Sequence, residues 1–211
     1  MHEPVPEYDF KSKNAQDLIK RAFRFSPKCL YLLGDILDNI QDCAKLYETL
    51  LRKTFYFTLE NNINFKLFFK SKNFAHLVGL HKLKDLKFLK QYSAEFLFNK
   101  ILTGEIGANE IKNSVFYNRI EDRISYFERI FDMLDVNKSK IIVDYDKSIV
   151  SNSKLHNTKY ILYREIKSSY LLLTIGDRGK GEYPETLLFE ISKKYLTGQQ
   201  LLDVIDIRIE C

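Results

Sequence analysis

A chain of 211 residues, 45% hydrophobic and 29% charged, can bury a sizeable core in one domain, or in one domain plus a small accessory piece. Its net charge of +5 and pI near 8.9 favour an anionic partner yet fall well short of a histone-like excess. Three scattered cysteines (Cys29, Cys43, Cys211) make neither a disulfide framework nor a zinc site, and every apolar run is broken before membrane-spanning length. With an acidic, proline-bearing start (Met-His-Glu-Pro-Val-Pro-Glu) unlike a signal peptide, the expectation is a cytoplasmic protein with no membrane partner.

In chain order, residues 1–13 read as a loose leader. Asn14 to Arg24 carries Ala15, Leu18, Ile19, Ala22 and Phe23 at helical spacing. Ser26-Pro27 reads as the start of a second helix, whose stripe of Leu30, Leu33, Leu37, Ile40, Ala44, Tyr47 and Leu51 runs to about Arg52. These helices suggest an accessory region, 1–53, that can engage a partner protein. From Thr54 the period changes to two. Phe55, Phe57 and Leu59, then Ile63, Phe65 and Leu67, flank Asn61-Asn62 as the two arms of a β-hairpin.

Asn73 then caps a short helix holding Phe74, His76, Leu77 and Val78, which Gly79 weakens or ends. A further helix stops at Thr103-Gly104. Ile111, Val115, Phe116, Ile120, Ile124, Phe127, Phe131 and Leu134 predict the strongest amphipathic helix or helix pair, its outer face (Glu121, Asp122, Arg123, Glu128, Arg129) reading as solvated surface. The last third reads as strands at 141–145, 158–164, 169–175, 186–190 and 205–209. The third of these is apolar on both faces, as a central strand is. The fold class expected is α+β: N-terminal helices, a β-hairpin, a helical middle, then an antiparallel sheet of about four to five strands packed on helices.

The named motifs of nucleotide-binding and hydrolytic enzymes do not occur. The glycine loop at 176–181 lacks the Lys-Ser or Lys-Thr of a P-loop and reads as a hairpin connection. No HExxH, paired CxxC or GxSxG appears. Asp144 and Asp146 share a strand face but fit a solvated strand end. His76 and His81 lie about 140° apart on a continuous helix, poor geometry for a shared metal. Neither metal nor cofactor is expected.

What remains is a basic stretch. Lys70, Lys72, Lys82, Lys84, Lys87 and Lys90 flank His76 and His81 against a single acid, Asp85. Imidazoles titrate near neutral pH, and lysines supply the field that a phosphate polymer needs. The same residues also fit a satisfied helix histidine on a solvated cationic face. Downstream, Lys154 and His156 enter the strand that carries Tyr160 and Arg164, and Thr186 follows Tyr183-Pro-Glu, where its hydroxyl can meet a phosphate oxygen.

The order of the hairpin, Asn73-Phe-Ala-His-Leu-Val-Gly-Leu-His-Lys-Leu83, Ile111-Lys-Asn-Ser114 with Tyr117, Arg123-Ile124 and Tyr183-Pro-Glu-Thr186 resembles a phage-associated nuclease family. It is the fourth phage-type branch of the barnase–EndoU–colicin–RelE-like (BECR) superfold, and the resemblance covers roughly 54–211. It implies an α+β domain whose open sheet face binds RNA, and a metal-independent ribonuclease used by phages and mobile elements as a toxin or effector. Through it His76 becomes the leading acid or base and Lys82 a phosphate contact. Arg164 or Lys154 becomes the charge stabiliser and Thr186 the supporting hydroxyl. Lys72, His81, Lys84 and Tyr160 join Lys82 as expected RNA contacts.

The leading expectation is therefore an endoribonuclease acting on RNA such as tRNA or ribosome-associated RNA, by 2′-hydroxyl transesterification, with an antitoxin or other partner held by the N-terminal helices. The alternative is a catalytically inactive RNA- or protein-binding module, a phage-borne regulator or inhibitor. Binding without turnover would identify it.

Overall fold

The computed structural model describes residues 39–211 except 140, 178 and 180. The leader, the helix expected at 14–24, Cys29 and the first part of the helix opened by Pro27 lie outside the described residues. Six α-helices are described: α1 (Ile40–Glu48), α2 (Ser71–Leu77), α3 (Ala94–Thr103), α4 (Ala108–Lys112), α5 (Glu121–Ser125) and α6 (Arg129–Met133). Seven strands accompany them: β1 (Thr54–Leu59), β2 (Asn64–Phe68), β3 (Ile141–Asp144), β4 (Thr158–Ile166), β5 (Ser169–Asp177), β6 (Glu182–Glu190) and β7 (Gln200–Glu210). None of the described helices is long and apolar enough to cross a membrane.

The strands do not form the open, four-to-five-stranded antiparallel sheet that the sequence suggests. They close into a seven-stranded barrel of order β1-β2-β6-β5-β4-β3-β7. The hairpin is part of this sheet rather than an element beside it. Closure comes from β7, the longest strand, which pairs with β3 through Gln200–Asp203 and with β1 through Val204–Glu210. One pairing is parallel, the single bridge Leu67–Glu182 between β2 and β6, so the barrel is mixed. Alternation tells which side chains share a face, but it does not say which strand lies alongside.

Local chemistry explains the element boundaries. Asn39 Oδ1 accepts the Gln41 and Asp42 N–H groups and starts α1. The β1–β2 connection is a Glu60–Asn62 3₁₀ turn, with Asn62 at φ 61, rather than a two-residue loop. The helix or helix pair expected over 111–134 is broken into α4, a 3₁₀ turn (Tyr117–Arg119), α5 and α6. One break follows from Ser114 and Asp85: the Val115 N–H donates to the Asp85 carboxylate and the Phe116 N–H to Ser114 Oγ. Helical N–H groups are diverted to side chains there. Ile111, Ile120, Ile124, Phe127 and Leu134 are still buried, while Val115 is 77% exposed.

The core begins at Tyr47, whose ring meets Phe69, Phe74, Phe98 and Phe127 at centroid distances of 5.3–6.3 Å. Its hydroxyl donates to the Lys70 carbonyl at 2.8 Å and so fixes the chain entering α2. On α2 itself Phe74 and Leu77 are fully buried, worth about 1.5–3 kcal/mol each. That burial holds the helix against β6. β5 is buried from Ser169 to Gly176, as its two-faced apolar run predicts.

Candidate active site

The site grows out of the end of α2. Helix α2 starts at Ser71, and Asn73 Oδ1 accepts the Lys70 N–H at 3.1 Å, so Asn73 reaches back from the first turn instead of opening the helix. With Phe74, Ala75 and Leu77 facing inward, His76 is left exposed. Gly79 then adopts φ +82, a left-handed conformation that side chains rarely tolerate, and the chain turns into a 3₁₀ segment at Leu80–Lys82. The helical wheel over 76–81 therefore does not apply. The turn stacks His81 on His76, with ring centroids 4.7 Å apart and 21° between planes.

Gly79 also admits a close neighbour. A Cβ there would lie 3.1 Å from Ile120 Cγ2 and 3.3 Å from Arg123 Cδ and Nη1. Arg123, on α5, is not the solvated outer residue that its helical position suggests. It is 4% exposed, and its Nη1 donates to the Leu77 carbonyl at 3.3 Å and to Thr186 Oγ1 at 3.2 Å. One guanidinium thus ties the end of α2 to β6. Thr186 is held in turn by Thr174: its N–H donates to Thr174 Oγ1 at 3.1 Å, and that hydroxyl donates to the Thr186 carbonyl at 3.3 Å. A register shift at Thr174/Ile175 sets this pair beside Pro184, where β6 is locally irregular.

The electrostatics follow from this crowding. Partial burial pushes His81 down to about 4, helped by the charges of His76, Arg123 and Lys82, so its ring is neutral at pH 7 although the residue is exposed. Lys82 is half-buried and is pushed down to about 8, first by desolvation and then by Arg123, Lys154 and Arg119, with Glu190 opposing. Burial likewise brings Arg123 down to about 10, still a cation at neutral pH. Four cationic side chains and two imidazoles therefore share a neighbourhood with a single acting carboxylate. Lys72 and Lys84 are exposed on the other flank of the imidazole pair, where they line a cavity.

His76, His81, Lys82, Lys154 and Thr186 are thus linked, directly or through Arg123. Other candidates lie elsewhere. Arg164 pairs in register with Leu171 and donates to the Lys138 carbonyl at 2.9 Å. Tyr160 is 4% exposed and stacks on Phe65 at 4.7 Å, closed off from any polymer outside. His156 is exposed and is not among the charges acting on His81 or Lys82. Asp146 accepts the Ser148 N–H at 2.8 Å and caps a turn. Among the described residues no group of three His, Cys, Asp or Glu side chains is placed to hold a metal ion.

At the end of α2, then, two stacked imidazoles lie within a cationic field. The chain matches the family model described as phage-Barnase-EndoU-ColicinE5/D-RelE like nuclease4 over residues 39–210, and it belongs to that nuclease family. The match takes in α1 as well as the barrel. No curated protein and no solved structure matches the chain.

Proposed function

We propose that this protein is a metal-independent endoribonuclease that cuts RNA by attack of the ribose 2′-oxygen on the adjacent phosphorus, and that it serves a phage or mobile element as a toxin or effector. The observation that carries this reading is the stacked His76–His81 pair beside the buried Arg123. Two rings 4.7 Å apart resist double protonation, so the pair is suited to carry a single proton between its two imidazoles. His81, neutral at pH 7, takes the 2′-hydroxyl proton as the 2′-oxygen bonds to phosphorus. The phosphorus–O5′ bond breaks and His76 gives its proton to the departing 5′-oxygen. The products are a 2′,3′-cyclic phosphate and a free 5′-hydroxyl. Lys82, with Lys154 and Arg119 behind it, offsets the charge on the non-bridging oxygens. Arg123, anchored by Thr186 and Leu77, positions the two histidines.

The test is cleavage of a defined RNA oligonucleotide by the full chain. His76→Ala and His81→Ala are each expected to lower kcat by about 10²–10⁴, and a single 2′-deoxy substitution at the cut position should block cleavage there. Equal cutting of the deoxy-substituted strand would overturn the mechanism. Steeply salt-dependent RNA binding with no cleavage at all would instead identify a binding module.

A further inference from the structure

Beside the imidazole pair lies an open cavity of about 420 Å³, bordered by α2, the turn after Gly79 and the start of α3. Its floor is apolar: Leu80, Leu83, Leu89 and Leu97 are 2–8% exposed. Its rim carries Lys72, Lys84 and Lys90, all exposed, and among the described residues none of the three forms an ion pair. The nearby acid is engaged elsewhere, since Asp85 accepts from Ser114 Oγ at 2.6 Å and from the Val115 N–H at 3.0 Å. Tyr92 lines the same cavity, its ring backed by Phe96 at a centroid distance of 5.1 Å.

We propose that this cavity is a subsite for one nucleotide of single-stranded nucleic acid, with its base on the leucine floor beside Tyr92 and its phosphates on Lys72, Lys84 and Lys90. The inference deepens the nuclease reading, because His76 and His81 form the wall shared by the two sites. The volume falls within the range of small-ligand pockets. A base reaches an apolar floor inside a cleft only when it is unstacked from its neighbours, which selects single strands over duplexes. An acidic peptide would satisfy the lysines but brings a planar ring only where it carries an aromatic side chain, whereas every nucleotide joins a planar base to a phosphate.

The experiment is fluorescence anisotropy with the full chain and a labelled 2′-O-methyl oligonucleotide, which lacks the attacking hydroxyl and is not cut. The single strand is expected to bind at least about tenfold more tightly than its duplex. The Lys84→Glu/Lys90→Glu variant, changed only at exposed positions, should lose at least about tenfold in affinity. Its salt dependence should flatten by roughly 1.4, at about 0.7 per phosphate contact on a single strand. Tyr92→Ala should cost about tenfold through lost stacking. Wild-type affinity in both variants, or a duplex bound as tightly as the single strand, overturns the subsite. RNA cleavage with binding insensitive to these changes would sink the subsite alone. The predicted binding pattern with no cleavage of ordinary RNA would sink the nuclease reading alone.

Discussion

The titration of His81 is where the geometry makes its sharpest demand. At the 4.7 Å that separates the two rings, unit charges repel by about 0.9 kcal/mol in a water-like medium and about 3.5 kcal/mol at an effective dielectric of roughly 20. Those energies correspond to roughly 0.6 to 2.6 in pKa. His81 falls from 6.5 to about 4, and desolvation, not His76, is the largest cause. The share belonging to His76 must then be less than half of the whole, near the low end of the range. His76→Gln keeps a side chain of similar size without a titrating ring, and should raise the His81 midpoint by about one, still short of an ordinary histidine.

Proton NMR titration of the imidazole Hε1 resonances, assigned by single substitutions, reads this directly. The sign carries over to stability. A base whose folded pKa is lowered binds fewer protons folded than unfolded between pH 4 and 6.5, so its contribution is lost as the solution is acidified through that window. A His81 midpoint near 6.5 in the unmodified protein, or one unmoved by His76→Gln, would refute the reasoning about the stacked pair.

Three further outcomes are expected. Gly79→Ala places a methyl group at φ +82 against Ile120 and Arg123, and should cost about 1–2 kcal/mol in urea denaturation while lowering RNA cleavage. Thr186→Val removes the acceptor for Arg123 Nη1 at nearly constant shape, and should cost about 1–3 kcal/mol in the same assay. RNA cleavage by that variant should fall because the guanidinium loses one of its two anchors. Arg164→Ala removes a bond to the Lys138 carbonyl outside the site, and its cleavage rate should stay within about twofold of the parent.

The elements were readable where a residue type admits one local geometry. Gly79 and Gly104 mark helix ends because both take positive φ, and the alternation of Phe55, Phe57, Phe65 and Leu67 marks the hairpin. The closure of the barrel was not readable, because nothing in the residues of Gln200–Glu210 says that one strand serves two neighbours. The same limit applies at the site. His76, His81, Lys82 and Thr186 stand out as residue types, but their grouping depends on a turn at Gly79 that a helical wheel ignores. Arg123 escaped because the pattern around it is that of a long helix with a polar outer face. Breaking that helix puts Arg123 on the inside. Arg123-Ile124 stands among the motifs of the family resemblance without a role, and the close approach permitted by Gly79 acquires meaning only once α5 is known to be the neighbour.

The proposed cleavage needs the 2′-hydroxyl and no metal. The full chain should be incubated with a defined RNA in excess EDTA, and the new ends identified by mass spectrometry. Fragments ending in a 2′,3′-cyclic phosphate, each followed by one with a free 5′-hydroxyl, are the predicted result. Cutting that appears only when divalent ions are restored, or that leaves 3′-hydroxyl and 5′-phosphate ends, would contradict it.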